Sequence, residues 1–238
     1  MEYILIALIG LFSGVIKGSS GFGSSLVALP LLIFFFDIND VVVIMITINV
    51  ALNFIMLFEY KGFSFKNLKE VWVIVVCGII FTFIGLELLE TVDEKIVKYF
   101  AATLILIAVL NKSFKLKIEI KDSHLFQAIA GSISGFSNGI ASIDGPPIVF
   151  YLTSIKAEKI KFKNTLVSYF LVLGVVSVIL LFIKGSYTID IMLATGYIGI
   201  FLIIGTLFGM IISKRINEEN FDRFVTILLI GLGISMFI

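Results

Sequence analysis

Two polar segments inside otherwise apolar stretches carry the residues whose types could do chemistry. The first is Gly18-Ser19-Ser20-Gly21-Phe22-Gly23-Ser24-Ser25, with Lys17 directly before it, and the second is residues 138–147, which include Asp144. Glycines allow a ligand to approach the backbone closely, and Lys17 and Asp144 place a charge in each of these apolar stretches. The two segments therefore predict a binding site for a small solute.

The composition indicates an integral membrane protein. Hydrophobic residues make up 59% of the 238 residues and charged residues 15%, with a mean hydropathy of +1.13, whereas about a quarter of the residues in soluble domains are charged. The net charge of +1 gives no excess of positive charge for binding nucleic acid. A single cysteine, Cys77, and a single histidine, His124, exclude Cys-rich and His-rich metal sites, so no metal or cofactor is predicted.

The apolar stretches predict an all-α, polytopic membrane protein. A spanning helix needs about 20 apolar residues. Six stretches read as ordinary spans, namely 41–58, 71–86, 96–110, 165–183, 191–212 and 224–238. Two further stretches, 3–36 and 125–155, are too long for one helix and are interrupted by the two polar segments. Each of these is predicted to form a broken helix.

The chain also contains an internal repeat. A shift of 121 positions superposes small residues of the two broken stretches, namely Gly10 and Gly131, Ser13 and Ser134, Gly14 and Gly135, and Gly18 and Gly139. We therefore predict two transmembrane repeats, residues 1–121 and 122–238, within one integral membrane domain. Each repeat would contain one broken re-entrant helical hairpin followed by three transmembrane helices, an organisation typical of secondary transporters.

The distribution of Lys and Arg favours re-entrant hairpins over single crossings. If each broken stretch crosses the membrane once, the Lys and Arg residues near the span ends divide eight against nine. If each stretch enters and returns on the same side, fourteen lie on one side and three on the other. Because cytoplasmic loops carry the excess of positive charge, we predict inverted repeats with the fourteen residues on the cytoplasmic side and both termini outside.

The returning arms of the two hairpins predict an anion site. Each arm, 24–36 and 145–155, would begin at its deep end, so its free N–H groups and positive dipole end would point into the membrane interior. Helix N-termini with glycine-rich approaches bind anions, and Lys17 lies beside the first. Pro146 and Pro147 suit the first turn of the second arm, where proline loses no hydrogen bond.

Several of these residues also have a reading that involves no substrate. Lys17 either contacts the substrate or pairs with Asp144, because buried charges usually pair. Asp144 either caps the second arm or has a proton-coupling or substrate-binding role. Asn49, Asn53 and Asn138 either line the cavity or hydrogen-bond between helices. The predicted substrate-binding residues are Lys17, Gly21, Gly23, Ser24, Asn49, Asn53, Asn138, Asp144, Gly145, Pro146, Tyr151 and Asn164.

Three motifs resemble those of a known family. Residues 14–30 (GVIKGSSGFGSSLVALP), 144–151 (DGPPIVFY) and 162–166 (FKNTL) resemble the TauE/SafE family of sulfite and organosulfonate exporters, and the resemblance covers essentially the whole chain. It implies a bacterial-type plasma-membrane transporter that exports a small organic or sulfur-containing anion. Asp144 and Lys163 depart from the family's usual glycine and arginine, which leaves the identity of the anion open.

Two other kinds of protein fit part of the pattern. Two half-helices that meet from opposite sides could also form a channel for water or a small solute. An intramembrane enzyme would need an acid paired with Asp144, but the other acids lie near span ends, so no enzyme is predicted. We therefore interpret the chain as a secondary-active transporter that works by alternating access, with a small anion and the lipid bilayer as partners. Coupling to protons or another ion and the oligomeric state are left open.

Overall fold

The all-α prediction is confirmed, because every regular element described by the computed structural model is an α-helix. The structure describes residues 1–59, 63–113, 119–212 and 218–237. The helices within these ranges are α1 (Glu2–Ser20), α2 (Ser24–Leu32), α3 (Ile38–Glu59), α4 (Phe65–Glu70), α5 (Trp72–Thr91), α6 (Glu94–Ser113), α7 (His124–Ala141), α8 (Gly145–Ser154), α9 (Lys159–Lys184), α10 (Ile189–Ile212) and α11 (Glu218–Ser235).

Five of these helices, α1, α3, α5, α9 and α10, are long and apolar enough to cross a membrane. They confirm a multi-pass membrane protein and include four of the six predicted ordinary spans. The other two predicted spans fall on α6 and α11. Among the residues searched neither helix contains a candidate span, and α11 contributes a shorter apolar segment, Val225–Ser235.

Both long stretches are broken where the polar segments lie. Between α1 and α2, Gly21 (φ 91°) and Gly23 (φ 92°) adopt the left-handed backbone that glycine tolerates without strain. Between α7 and α8, Ser142 (φ 55°) is also left-handed. The arms are unequal, since α1 and α7 have 19 and 18 residues whereas α2 and α8 have 9 and 10. Their re-entrant path and the side of the termini stay predictions.

The helices α1 and α10 approach so closely that only glycine fits between them. A Cβ on Gly14 would lie 2.2 Å from the Leu202 carbonyl oxygen, and a Cβ on Gly18 would lie 2.1 Å from the Thr206 carbonyl oxygen. From the first contact to the second, the residue number increases by four in both helices, so α1 and α10 run parallel. Small residues allow such close contact between transmembrane helices.

The helices α5 and α7 form a second interface of the same kind. A Cβ on Gly135 would lie 2.1 Å from the Gly78 carbonyl oxygen, and one on Gly139 would lie 2.5 Å from the Thr82 carbonyl oxygen. The Thr82 hydroxyl also donates to the Gly135 carbonyl oxygen (3.1 Å). The 121-residue shift carries the α1 glycines of the first interface onto the α7 glycines of the second. Each interface joins the predicted first repeat to the predicted second repeat.

The helices α3 and α9 pack in opposite directions. Val50 lies against Gly174, and further along α3 Met56 packs in one small cluster with Val167, which comes earlier in α9. These helices occupy corresponding places in the two predicted repeats, so their antiparallel contact supports an inverted arrangement. The inversion and the division of the chain at residue 121 remain predictions.

The short helix α2 lies inside the protein. Eight of its nine residues are buried, and Val27, Ala28 and Leu29 are fully inaccessible. It packs against α1, α3 and α11. Backbone that is not part of a spanning helix is tolerated at membrane depth only when protein or a water-filled cavity surrounds it. The interior of the helix bundle therefore shields the first break from lipid.

Candidate functional site

A small cavity lies where the two breaks meet. In this conformation it has room for about one water-sized group. Its lining is formed by Lys17, Gly23, Ser24, Ser25, Leu26, Asn49, Ser142, Ile143, Asp144, Gly145 and Pro146. The structure thus brings together, around one small polar pocket, two segments that are far apart in sequence.

A single asparagine connects the two breaks. Asn49 lies at the middle of α3, so the start of α2 is held near mid-length of a candidate span. Its Oδ1 accepts a hydrogen bond from the Ser24 hydroxyl (2.6 Å), and its Nδ2 donates to the hydroxyls of Ser25 (2.9 Å) and Ser142 (3.5 Å). The Ser25 and Ser142 hydroxyls are themselves 3.2 Å apart. Four polar side chains of the cavity wall therefore belong to one hydrogen-bond network.

Lys17 supplies a positive charge to this cavity. Its side chain is buried, with 3% of the residue exposed, and its ammonium group lies 5.3 Å from the centre of the Phe170 ring. Asp144 is close enough to interact with it electrostatically, yet among the described residues Lys17 forms no ion pair. The cation–π contact stabilises the ammonium group while leaving its hydrogen-bond donors available to an anion.

Asp144 occupies the N-cap position of α8, but its side chain does not cap the helix. Its backbone carbonyl accepts a hydrogen bond from the Ser134 hydroxyl (2.7 Å), which in turn accepts one from Tyr169 (3.1 Å). Capping through the carboxylate, one of the two sequence readings, is therefore wrong. Pro146 lies in the first turn of α8, as predicted.

The helix starts at the two breaks leave backbone donors near the cavity. Neither α2 nor α8 has a side-chain cap, so their first N–H groups and the positive dipole ends are not neutralised locally. A Cβ added to Gly145 would lie 2.7 Å from the Phe22 ring, so a larger residue there would require that ring to shift. The Gly21 N–H, in contrast, already donates to the Lys17 carbonyl oxygen (2.8 Å).

Seven of the twelve predicted site residues line the cavity, and five lie elsewhere. The seven are Lys17, Gly23, Ser24, Asn49, Asp144, Gly145 and Pro146. The five outside the lining are Gly21, Asn53, Asn138, Tyr151 and Asn164. Asn138 donates to Ser177 (2.8 Å) and therefore connects α7 to α9, and the Tyr151 hydroxyl donates to Asp122. The predicted substrate contacts of these five residues stay predictions.

Two lining hydroxyls were missed by the sequence reasoning. Ser25 belongs to the first glycine-rich segment, and Ser142 corresponds to Gly21 under the 121-residue shift. Ser142 adopts the same left-handed backbone as Gly21. Ser142 could have been identified from the sequence alignment of the two breaks, because it is a serine where the first break has a glycine. A side chain at that position must enter the space next to the turn.

Together these features define a multi-pass helical membrane protein with a small polar cavity between two helix breaks. A family model, Sulfite exporter TauE/SafE, matches residues 6–236. The chain therefore belongs to the TauE/SafE family of membrane transporters, which confirms the resemblance found in the motifs. Comparisons with curated proteins and with solved structures give no match.

Proposed function

We propose that this protein is a secondary-active transporter that exports a small organic or sulfur-containing anion, such as sulfite or an organosulfonate. Membership of the TauE/SafE family supports this class of transport. The single observation that carries the anion site is Lys17, a buried cation that lines the cavity and has no ion-pair partner among the described residues. A buried, unpaired charge is costly, so an anionic ligand would stabilise it.

The anion would be held by donors from both breaks. Lys17 provides the charge, and Ser25 and Ser142 provide hydroxyl groups that can turn toward an oxyanion. The first N–H groups of α2 add backbone donors. Two prolines in the first turn of α8 lack N–H groups, so α2 would contribute more backbone donors than α8.

Transport would proceed by alternating access, with Asp144 as the candidate proton-coupling group. Asp144 lines the cavity without capping α8, so its carboxylate is available to exchange a proton. Asp144→Asn should then remove the dependence of transport on a pH gradient, and an unaltered pH dependence would exclude this role. The presence of both charges at the cavity argues against a channel for water or a neutral solute.

The substrate class can be tested by thermal unfolding of the purified protein in detergent. Sulfite, sulfoacetate, sulfate, acetate and chloride would be compared, with glycerol as the neutral control. We expect sulfite or sulfoacetate to raise the melting temperature, because a ligand at a hundred times its Kd stabilises the folded state by about 2.7 kcal/mol. Stabilisation by none of the anions would contradict the proposed site.

Asn49→Asp should weaken the binding of sulfoacetate by roughly tenfold or more. The variant retains an acceptor for Ser24, but it replaces the Nδ2 donor and adds a negative charge to the cavity wall. Repulsion between this carboxylate and a bound anion a few ångströms away costs more than about 1.4 kcal/mol of binding free energy, even at an effective dielectric constant near 20. Isothermal titration measures the affinity.

Asn39→Asp is the matched control, because it makes the same change in the first turn of α3, away from the cavity. The added charge lies in the first turn, where the helix dipole favours it, but it also lies beside Asp37 and Asp40, so this variant controls for affinity and its stability is measured separately. If the Asn49 variant bound sulfoacetate as tightly as the Asn39 variant, Asn49 would not be part of the anion site.

A further inference from the structure

We propose that the bodies that move against each other during transport are two mixed units, and not the two halves of the sequence. The first unit consists of α1, α2, α3 and α10, and the second consists of α4, α5, α7, α8 and α9. Each unit thus contains helices from both halves. This inference rests on the transport function proposed above.

The first unit is held together by backbone contact between α1 and α10. A Cβ on Gly205 would lie 2.1 Å from the Leu11 carbonyl oxygen. At the start of α1 the Tyr197 hydroxyl donates to the Tyr3 carbonyl oxygen (2.9 Å). The middle of α10 also packs on α3, the helix that follows α2, through Gly199. These contacts run along the whole of α1, so α1 and α10 must move together.

The second unit is held together in the same way and is further tied by ion pairs. The backbones of α5 and α7 touch along their glycines, and the Tyr169 hydroxyl of α9 packs directly on Gly78 of α5. Lys184, at the end of α9, forms ion pairs with Glu87 (2.7 Å) and Glu90 (3.3 Å) at the end of α5.

A further ion pair ties the start of α9 to the same unit. Lys161 pairs with Glu70, at the end of α4, and the hydrogen bond from its ammonium group holds the pKa of the Glu70 carboxyl below its ordinary value. Because α4 leads directly into α5, both ends of α9 are connected to the α4–α5 segment. This segment belongs to the other half of the sequence, so α9 is fixed to the second unit.

The boundary between the units passes through the cavity, where side chains make the contacts, and it also includes the packing of α3 on α9, which is more extensive than that of α3 on α10. Ser25 of the first unit meets Ser142 of the second, and Lys17 of the first lies over the Phe170 ring of the second. Val50 of α3 lies against Gly174 of α9. Side chains can exchange such contacts as helices slide past each other by small amounts, whereas separating the glycine interfaces would break backbone packing along a whole helix.

Two disulfides that both connect the sequence halves distinguish the two kinds of motion. In a Cys77→Ser background, Gly10→Cys with Phe201→Cys joins α1 to α10 inside the first unit, where the Cβ atoms would be 3.1 Å apart. Val50→Cys with Gly174→Cys joins α3 to α9 across the boundary, with the Cβ atoms 3.9 Å apart. Disulfides have Cβ separations of about 3.5–4.5 Å, so only a small adjustment is needed for the first pair.

Each protein would be assayed in proteoliposomes, oxidised and then reduced, with labelled sulfoacetate as the probe. Sulfite is unsuitable because it cleaves disulfides. We expect the α1–α10 disulfide to leave transport unchanged and the α3–α9 disulfide to reduce it at least tenfold, with recovery after reduction. Loss of transport in both oxidised proteins would overturn the mixed units in favour of moving halves, and loss in neither would exclude motion across this boundary.

Two further measurements show whether a negative result comes from misfolding of a variant, from failure of the proposed transport function, or from an error in the mixed units. If Gly10→Cys prevents folding, Tyr3→Cys with Tyr197→Cys joins the same helices through a short bis-thiosulfonate reagent, since these rings are 5.8 Å apart. Absence of transport in the reduced proteins and in the Cys77→Ser parent would contradict the transport function itself. Failure of either pair to crosslink would contradict the helix contacts that define the units.

Discussion

Lys17→Ala weakens the binding of sulfoacetate by roughly ten- to a hundredfold in our account. Hydrogen bonds to charged groups contribute about 1.5–3 kcal/mol, and each 1.4 kcal/mol changes affinity about tenfold. Lys17→Arg keeps the charge and retains part of the affinity. Isothermal titration of the purified variants measures the effect, and Lys95→Ala, which removes an exposed cation at the start of α6, is the control for the loss of one positive charge.

A double variant separates the two readings of Lys17. If Lys17 acts only by neutralising Asp144, then adding Asp144→Asn to Lys17→Ala removes the unpaired carboxylate and restores anion binding. If Lys17 contacts the anion, the double variant still binds the anion weakly. We expect the second result, because Lys17 lines the cavity and forms no ion pair with Asp144. Full recovery of affinity in the double variant would show that Lys17 has no direct role.

Gly205→Ala should lower the apparent melting temperature by about 5 °C or more. Its Cβ would lie 2.1 Å from the Leu11 carbonyl oxygen, so α1 and α10 would have to separate along their interface. Overpacking a well-packed interior typically costs 1–3 kcal/mol, which corresponds to several degrees in a chain of this size. Thermal unfolding in detergent, with size-exclusion chromatography to detect aggregation, measures the loss.

The same helix provides the control for this variant. Gly196 also lies in α10, but a Cβ added there would meet nothing within 4 Å. Gly196→Ala should therefore be neutral or slightly stabilising, since alanine is the better helix former. Equal melting temperatures for the two variants would mean that the close contact of α1 and α10 does not exist in the folded protein.

The sequence predicted the breaks because their causes are local. Glycines at Gly21 and Gly23 allow left-handed backbone, and Pro146 marks the first turn of a helix, so both features can be read from a few neighbouring residues. The apolar lengths of α3, α5, α9 and α10 were readable for the same reason. The charge of Lys17 inside an apolar stretch was enough to place it among the candidate site residues.

The contacts between distant segments could not be read in this way. Asn49 was predicted as one of several asparagines, but its role in bridging Ser25 and Ser142 depends on how two breaks about 120 residues apart face each other. Asn138 has the same residue type and bonds to Ser177 of α9 instead. Residue type alone could not distinguish an asparagine that lines the cavity from one that joins two helices, because an amide side chain can do both.

The glycines of α1 and α7 illustrate the same limit. Their spacing indicated a repeat, yet the sequence did not tell which helices they contact. The structure pairs each of them with a helix of the other half. The identity of the partner helix matters for mechanism, because it determines which helices can move as one body.

Counterflow of labelled sulfoacetate into proteoliposomes tests the central claim most directly. Vesicles that contain the protein and a high internal concentration of unlabelled sulfoacetate would be diluted into a trace of the labelled anion. An alternating-access transporter exchanges the two, so we predict a transient accumulation of label inside the vesicles above the external concentration, which Lys17→Ala strongly reduces. Uptake that only equilibrates, without accumulation, would indicate a channel, and uptake equal to that of protein-free vesicles would contradict transport of this anion.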